Sequence, residues 1–152
     1  MAAVRILDDP VPWPAEPVLD QSWPSRVDLK QQVIDAIAAP ILAAGAVTEN
    51  ERPWLLLCLD EVIVNAMLHG NEGDPTLLIR TAVAIDAGTW TVVVADHGEG
   101  FSASAVPDPE DPDSLLLEHG RGIRIMLQWL DQLTYYQRGT AVVLARHRPG
   151  AT

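Results

Sequence analysis

The chain has 152 residues, a formal net charge of −11 and 48% hydrophobic residues. This length fits one domain with a substantial core. The acidic balance argues against direct nucleic-acid binding, which requires clustered basic residues, whereas Lys30 is the only Lys and the Arg residues are scattered. No apolar run approaches the roughly 20 residues of a membrane span, and the N-terminus lacks a signal-peptide layout. The single Cys58, among leucines, predicts a reduced buried thiol and a cytoplasmic protein.

The N-terminal residues 1–17 are rich in proline and predict an extended or loosely attached segment before a folded domain over 18–148. Residues 18–23 predict an edge strand that ends at Pro24. A helix is expected next, with Ser25 as its N-cap and Asp28 at the capping-box position. Pro40 predicts a kink in this helix, and Gly45 suits its C-terminal cap.

The remaining elements alternate between helices and β-hairpins. A second helix is expected from about Asn50, with Pro53 in its first turn, to His69 and Gly70. Two β-rich runs, 76–86 and 89–98, predict a hairpin. An acidic, Pro-rich loop at 107–113, a helix over 123–130 and a closing hairpin around Arg138 and Gly139 follow. This order predicts an α+β fold, a two-layer sandwich with helices on one face of a mixed, mostly antiparallel sheet.

Three polar residues interrupt the apolar second helix at intervals of four, in the stretch LDEVIVNAMLHGNEGD over 59–74. Residues spaced by four lie on one helical face, so Glu61, Asn65 and His69 form one stripe. A stripe that only faces solvent is the alternative. The choice between a site and a solvated face depends on the motifs that follow.

Three glycine-containing motifs follow at the ends of predicted elements. DHGEGF, residues 96–101, comes directly after a strand, where glycines let the backbone approach a flat ligand. HGRGI, residues 119–123, precedes a helix, whose free N–H groups and dipole suit a phosphate. The third motif, RGT over 138–140, lies between the last two strands. Each motif alone is also compatible with an ordinary turn.

Together these motifs, in this order, resemble the Bergerat ATP-binding fold of DNA gyrase, histidine-kinase catalytic domains and bacterial anti-sigma-factor serine kinases. The resemblance covers roughly residues 20–147. The pattern E-x-x-x-N-A-x-x-H-G and the stretch LLLEHGRGIRIM are most similar to the anti-sigma-factor serine/threonine kinases.

The resemblance implies a role for each motif. Glu61 would be the general base or would orient the attacking hydroxyl, and Asn65 would bind Mg²⁺. Asp96 would receive the adenine amino group. The other ATP-binding residues implied are Gly98, Gly100, Phe101 and Thr140 around adenine, Gly120, Arg121, Gly122 and Ile123 at the phosphates under a lid over 102–119, and His69, which with Gly70 would close the helix beside the phosphates.

The resemblance also implies a function. The chain would be an ATP-dependent protein kinase and anti-sigma factor that phosphorylates a Ser or Thr of a small antagonist protein and sequesters a sigma factor. It would act as a homodimer, for which the edge strand at 18–23 and Trp23 offer a surface. The alternative is a non-catalytic ATP-binding module that grips a partner. Glu61 favours the enzyme, because a binding module needs no base.

Overall fold

The computed structural model describes residues 4–99 and 122–150. Its strands are β1 (Val4–Ile6), β2 (Leu19–Pro24), β3 (Leu78–Ile85), β4 (Thr89–Ala95), β5 (Gln132–Tyr136) and β6 (Ala141–His147). Its α-helices are α1 (Lys30–Ala43), α2 (Arg52–Val64) and α3 (Gly122–Trp129), and α2 continues as a π-helical segment, Asn65–Gly70. Short 3₁₀ turns cover Val27–Leu29, Glu49–Glu51 and Gln137–Gly139.

Within the described residues, the six strands form one mixed sheet in the order β1-β5-β6-β4-β3-β2. The β3–β4 and β5–β6 hairpins are antiparallel, as predicted, and β4 and β6 join them at the centre of the sheet. Strand β2 lies at one edge, which confirms the predicted edge strand. Strand β1, which the sequence did not predict, pairs parallel to β5 at the other edge. The α+β prediction with a mostly antiparallel sheet is confirmed.

The two faces of the sheet have different covers. The alternating side chains Val83, Val92 and Leu144 belong to the main core with α1, α2 and α3. The intervening residues Ala82, Val93 and Val143 pack on the opposite face with Val11 and Trp13 of the N-terminal segment. The segment is therefore not loosely attached, because its apolar side chains cover the sheet face that the helices leave open.

Backbone hydrogen bonds tie the same segment to the last hairpin. The N–H of Gln137 donates to the carbonyl oxygen of Asp9 at 2.9 Å, and the N–H of Arg138 donates to that of Leu7 at 3.2 Å. The Gln137 side chain in turn accepts the N–H of Val11 at 3.1 Å. Val11 lies between Pro10 and Pro12 and supplies an N–H that a proline would lack.

Helix α1 begins later than predicted, and Ser25 does not cap it. The Ser25 hydroxyl donates to the carbonyl oxygen of Leu77 at 2.8 Å, and a 3₁₀ turn separates Ser25 from α1. The C-terminus follows the prediction. Gly45 has a φ of +68°, and the N–H groups of Gly45 and Ala46 donate to the carbonyl oxygens of Leu42 and Ile41. This is the glycine-dependent end of a Schellman motif.

A capping box was predicted at the start of α1, but the structure has one at the 3₁₀ turn that leads into α2. Thr48 and Glu51 bond each other at its start, and Pro53 lies in its first turn as expected. Cys58 is buried in the main core, as the sequence predicted, and burial raises the pKa of its thiol to about 12. This thiol is therefore a core residue without thiolate chemistry.

Polar and aromatic side chains connect the C-terminus of α3 to β6 and to the start of α2. Arg146 of β6 forms an ion pair with Glu51 at 2.7 Å and donates from Nε to the carbonyl oxygen of Trp129 at 2.9 Å. The Trp129 indole N–H also donates to Glu51, at 3.3 Å. The N-terminus of α2 and the C-terminus of α3 are thus held together, which sets the position of Gly122 at the other end of α3. Among the described residues, no helix has the length and apolar character to cross a membrane.

Candidate active site

The polar stripe predicted on the second helix crosses a change in helical type. Glu61 lies on α2, whereas Asn65 and His69 lie on the π-helical segment. The segment closes with the N–H of Asn71 donating to the carbonyl oxygen of Ala66 at 2.9 Å, a step of five residues. Single π turns within α-helices are frequent at functional sites, since the wider turn redirects side chains.

Glu61 and Asn65 are half-buried and contact each other, whereas His69 is exposed. The Asn65 side-chain N–H donates to Glu61 Oε1 at 3.3 Å. Burial raises the pKa of the Glu61 carboxyl, and Asp60 adds to this, while the Asn65 hydrogen bond and His69 oppose it. A solvent-facing stripe is not what the structure contains at Glu61. A half-buried carboxylate with a raised pKa accepts a proton more readily than an exposed one.

Gly122, the first residue of α3, lies directly against the Glu61 carboxylate. A Cβ built on Gly122 would overlap the carboxylate carbon and both of its oxygens. Only glycine permits this approach, so the residue type at 122 determines how closely α3 approaches α2. The N-terminus of α3, which is the positive end of its helix dipole, therefore lies beside Glu61.

Asp96 follows β4 at the opposite end of the π-helical segment. Its N–H donates to the carbonyl oxygen of Thr140 at 2.8 Å, and its Oδ1 accepts the N–H of Gly98 at 2.7 Å. Burial raises the pKa of the Asp96 carboxyl to about 6, against the opposing effects of the Gly98 N–H and His97. With Oδ1 engaged by Gly98, Oδ2 is the oxygen left for an external hydrogen-bond donor.

Two glycines allow the Asp96 loop to approach the π-helical segment. A Cβ on Gly70 would overlap the Asp96 carboxylate, and a Cβ on Gly98 would overlap the Gly70 carbonyl oxygen. The sequence predicted that His69 and Gly70 close the helix beside the phosphates. The structure places Gly70 against Asp96, the residue predicted to bind adenine, because the absence of a Cβ at Gly70 admits the carboxylate.

Thr140 and Ile123 contribute to the site in different ways. The half-buried Thr140 bonds Asp96 through its backbone, while its hydroxyl donates to the Gln137 carbonyl oxygen at 3.1 Å. The Ile123 side chain is buried in the main core, so only its backbone N–H, in the first turn of α3, is suited to a phosphate. Gly100, Phe101, Gly120, Arg121 and the predicted lid over 102–119 lie outside the described residues.

The structure thus brings two groups of predicted residues to the two ends of one helical segment. Glu61, Asn65 and Gly122 meet at one end, and Asp96, Gly98 and Thr140 meet at the other. In the comparison with known proteins, a family model described as a histidine kinase-like ATPase domain matches residues 23–146. The chain belongs to this family.

This ATPase domain is also similar to curated anti-sigma F factors. It is 31% identical over 105 residues to the "Anti-sigma F factor" of Anoxybacillus flavithermus, an alignment that covers 66% of this chain and 72% of that protein. It is 27% identical to proteins of the same name from Geobacillus kaustophilus and Halalkalibacterium halodurans, with the same coverage. The chain is thus a histidine kinase-like ATPase domain of the anti-sigma-factor family, and membership implies ATP binding.

Sequence reasoning missed two residues that shape this ATPase site. Asn71 is buried behind the Asp96 loop, and Gln137 bonds both Thr140 and the N-terminal segment. Asn71 stands in the polar stretch NEGD over 71–74, which gives no sign that it is buried. Its partners lie in other elements, so no local pattern could have revealed it.

Proposed function

We propose that this ATPase domain is an ATP-dependent serine/threonine-protein kinase and an anti-sigma factor of a partner-switching system. One observation carries the proposal: the half-buried Glu61 carboxylate lies beside the N-terminus of α3, where a γ-phosphate is expected. The name shared by its relatives supports a sigma factor as one partner. The second partner is a small antagonist protein with an acceptor Ser or Thr.

The proposed reaction is a direct phosphoryl transfer. The acceptor hydroxyl oxygen attacks the γ-phosphorus, the new O–P bond forms as the bond to the β,γ-bridging oxygen breaks, and ADP leaves. Glu61 takes the hydroxyl proton. Its raised pKa makes it a stronger base than an exposed glutamate, while the free N–H groups at the start of α3 stabilise charge on the transferred group.

The amide of Asn65 fits a Mg²⁺ ion that travels with ATP. Its nitrogen donates to Glu61, which turns its oxygen away from that carboxylate. One amide oxygen, with phosphate oxygens and waters, is a suitable hard ligand set, since Mg²⁺ keeps several waters in most protein sites. The ion would neutralise charge on the phosphates, and Asn65 would hold its position next to Glu61.

The rival function is an ATP-binding interaction module without transfer. The two functions differ in the fate of the γ-phosphate. With γ-labelled ATP, Mg²⁺ and a candidate antagonist, we expect label on a Ser or Thr of the antagonist, detected by gel and by mass spectrometry. The same antagonist with its acceptor Ser changed to Ala is the control. ATP binding with no label on any candidate antagonist from the neighbouring genes would favour the rival.

A homodimer through β2 is part of the proposal. Strand β2 is an edge, its residues Asp20, Gln21 and Ser22 are exposed, and Val18 beside it is 54% exposed. Trp23 does not belong to this surface. It is buried in the main core, and its indole N–H donates to the Thr81 hydroxyl at 3.0 Å. The backbone of the edge strand and the Val18 side chain therefore remain as the pairing surface.

Light scattering at micromolar concentration should give about twice the chain mass of 16.5 kDa. Introducing a charge at Leu19 would also disturb the core, because Leu19 packs against it. Val18→Glu is the cleaner variant and should shift the mass towards the monomer. Val27→Glu is its control, since Val27 is similarly exposed but lies in the 3₁₀ turn before α1 and does not adjoin the start of β2. A monomeric parent protein at every accessible concentration would remove the dimer.

A further inference from the structure

Asn71 is a buried side chain that connects three separate parts of the chain. It is 1% exposed. Its Oδ1 accepts the N–H of His97 at 2.7 Å, and its Nδ2 donates to Ser25 Oγ at 2.8 Å and to the carbonyl oxygen of Leu78 at 3.1 Å. Both ends of the amide are therefore satisfied, and its orientation is determined by its partners.

The backbone of Asn71 belongs to the π-helical segment. Its N–H closes the wide turn at Ala66, and its carbonyl oxygen accepts the N–H of Asp74 at 3.0 Å. The residue that ends the segment carrying Asn65 is thus the same one that holds the loop after β4. A shift of Asn71 would therefore move the π-helical segment and the loop after β4 relative to each other.

The bond to His97 lies between Asp96 and Gly98. On one side of it the Asp96 carboxylate packs against Gly70, and on the other side Gly98 packs against the Gly70 carbonyl oxygen. Apart from these contacts, the Asp96 N–H bond to the Thr140 carbonyl oxygen holds the start of the loop. The His97 N–H bond to a buried amide supplies direction, because hydrogen bonds weaken steeply away from linear geometry.

We infer that Asn71, anchored by Ser25, is a positioning residue that orients Asp96 towards the adenine amino group and so contributes to the choice of base. The inference rests on the proposed function in one respect, the adenine role of Asp96. Asn71 touches neither the nucleotide nor the reacting atoms in this account. Its effect is exerted through the His97 N–H.

A merely structural role for Asn71 predicts a different result. A variant that only loosens the fold would weaken binding of ATP and inosine triphosphate equally. Loss of orientation at Asp96 acts on ATP alone, because inosine carries a carbonyl oxygen where adenine carries the amino group. The ratio of the two affinities therefore separates positioning from general destabilisation.

The experiment compares Asn71→Ala and Ser25→Ala with the parent protein. Calorimetry with ATP and with inosine triphosphate measures base preference, and NMR hydrogen exchange of the His97 amide measures loop orientation without nucleotide. We expect Asn71→Ala to reduce the preference for ATP, and to speed His97 exchange, by about fivefold or more, the scale of one lost hydrogen bond. Ser25→Ala should act in the same direction with smaller size, since Leu78 still accepts from Asn71.

Thr134→Val is the matched control, since Thr134 is equally buried and accepts from Gln132 on β5, away from Asp96. It should leave both readouts unchanged. A folded Asn71→Ala protein with the parent's base preference and His97 exchange would overturn the inference. If Asn71→Ala does not fold, the same two measurements on Ser25→Ala test the inference. Parental values of both base preference and His97 exchange in Ser25→Ala would overturn it. A parent protein without preference for ATP would refute the adenine role of Asp96, and His97 exchange alone would then decide whether Asn71 holds the loop.

Discussion

Glu61→Gln should reduce phosphoryl transfer by about 10²-fold or more, the usual scale for a positioned general base, while ATP binding stays close to that of the parent protein. Glutamine keeps the shape that Gly122 packs against but cannot accept the proton. Single-turnover transfer from γ-labelled ATP measures the rate, and calorimetry measures the affinity. Unchanged transfer would make Glu61 a structural residue.

Two variants on the same helix serve as controls for Glu61. Asp60→Asn removes a negative charge that helps to raise the pKa of Glu61 but leaves the Glu61 carboxylate in place, so we expect a decrease in rate far smaller than that of Glu61→Gln. Asn65→Ala should weaken Mg²⁺-dependent ATP binding and abolish transfer together. The contrast between losing chemistry alone and losing binding with it distinguishes a base from a metal ligand.

Asp96→Asn should lower ATP affinity by about tenfold or more, given roughly 1.5–3 kcal/mol for a charged hydrogen bond. The asparagine oxygen would keep the bond from the Gly98 N–H and turn its N–H group towards the adenine amino group, which places two donors against each other. Calorimetry in a folded variant measures the loss. The parental affinity in that variant would refute the adenine assignment.

The pH dependence of the same variant supplies an independent check. The Asp96 carboxyl has its pKa raised to about 6 by burial, so it is ionised above that pH and protonated below it. Well above pH 6, the parent protein should bind ATP about tenfold or more tightly than Asp96→Asn does. This ratio of affinities should shrink as the pH falls through about 6. Taking the ratio of the two proteins cancels the titration of ATP itself. A ratio constant with pH would mean that ionised Asp96 does not receive the adenine amine.

Local chemistry accounts for the elements that were predicted correctly. The β-rich run over 89–95 identifies a strand, of which Val92 and Val94 face the helices. Gly45 ends α1 by adopting a positive φ. Ser25 shows the limit of such patterns. A capping motif predicts a hydrogen bond between residues close in sequence. The Ser25 hydroxyl instead donates to the Leu77 carbonyl oxygen and accepts from the Asn71 side chain, both distant in sequence, and so it does not cap the helix.

The N-terminal segment and Trp23 illustrate the same limit. Prolines in residues 10–17 predict an extended or loosely attached segment, but they do not say which surface the chain follows. The sheet face with Ala82 and Val93 supplies that surface. Trp23 similarly offers an apolar body for a core or for an interface, and its hydrogen bond to Thr81 inside the fold decides for the core.

The sequence by itself determined the chemical groups of the site and their order, because helix period, strand alternation and glycine placement are local properties. It therefore predicted Glu61, Asp96 and Gly122 as candidates. Only the tertiary structure decided which of them meet. The contacts of Gly122 with Glu61, Gly70 with Asp96 and Asn71 with His97 join distant parts of the chain. Each depends on how closely two packed elements approach, a quantity set by the whole core and by no single stretch of residues.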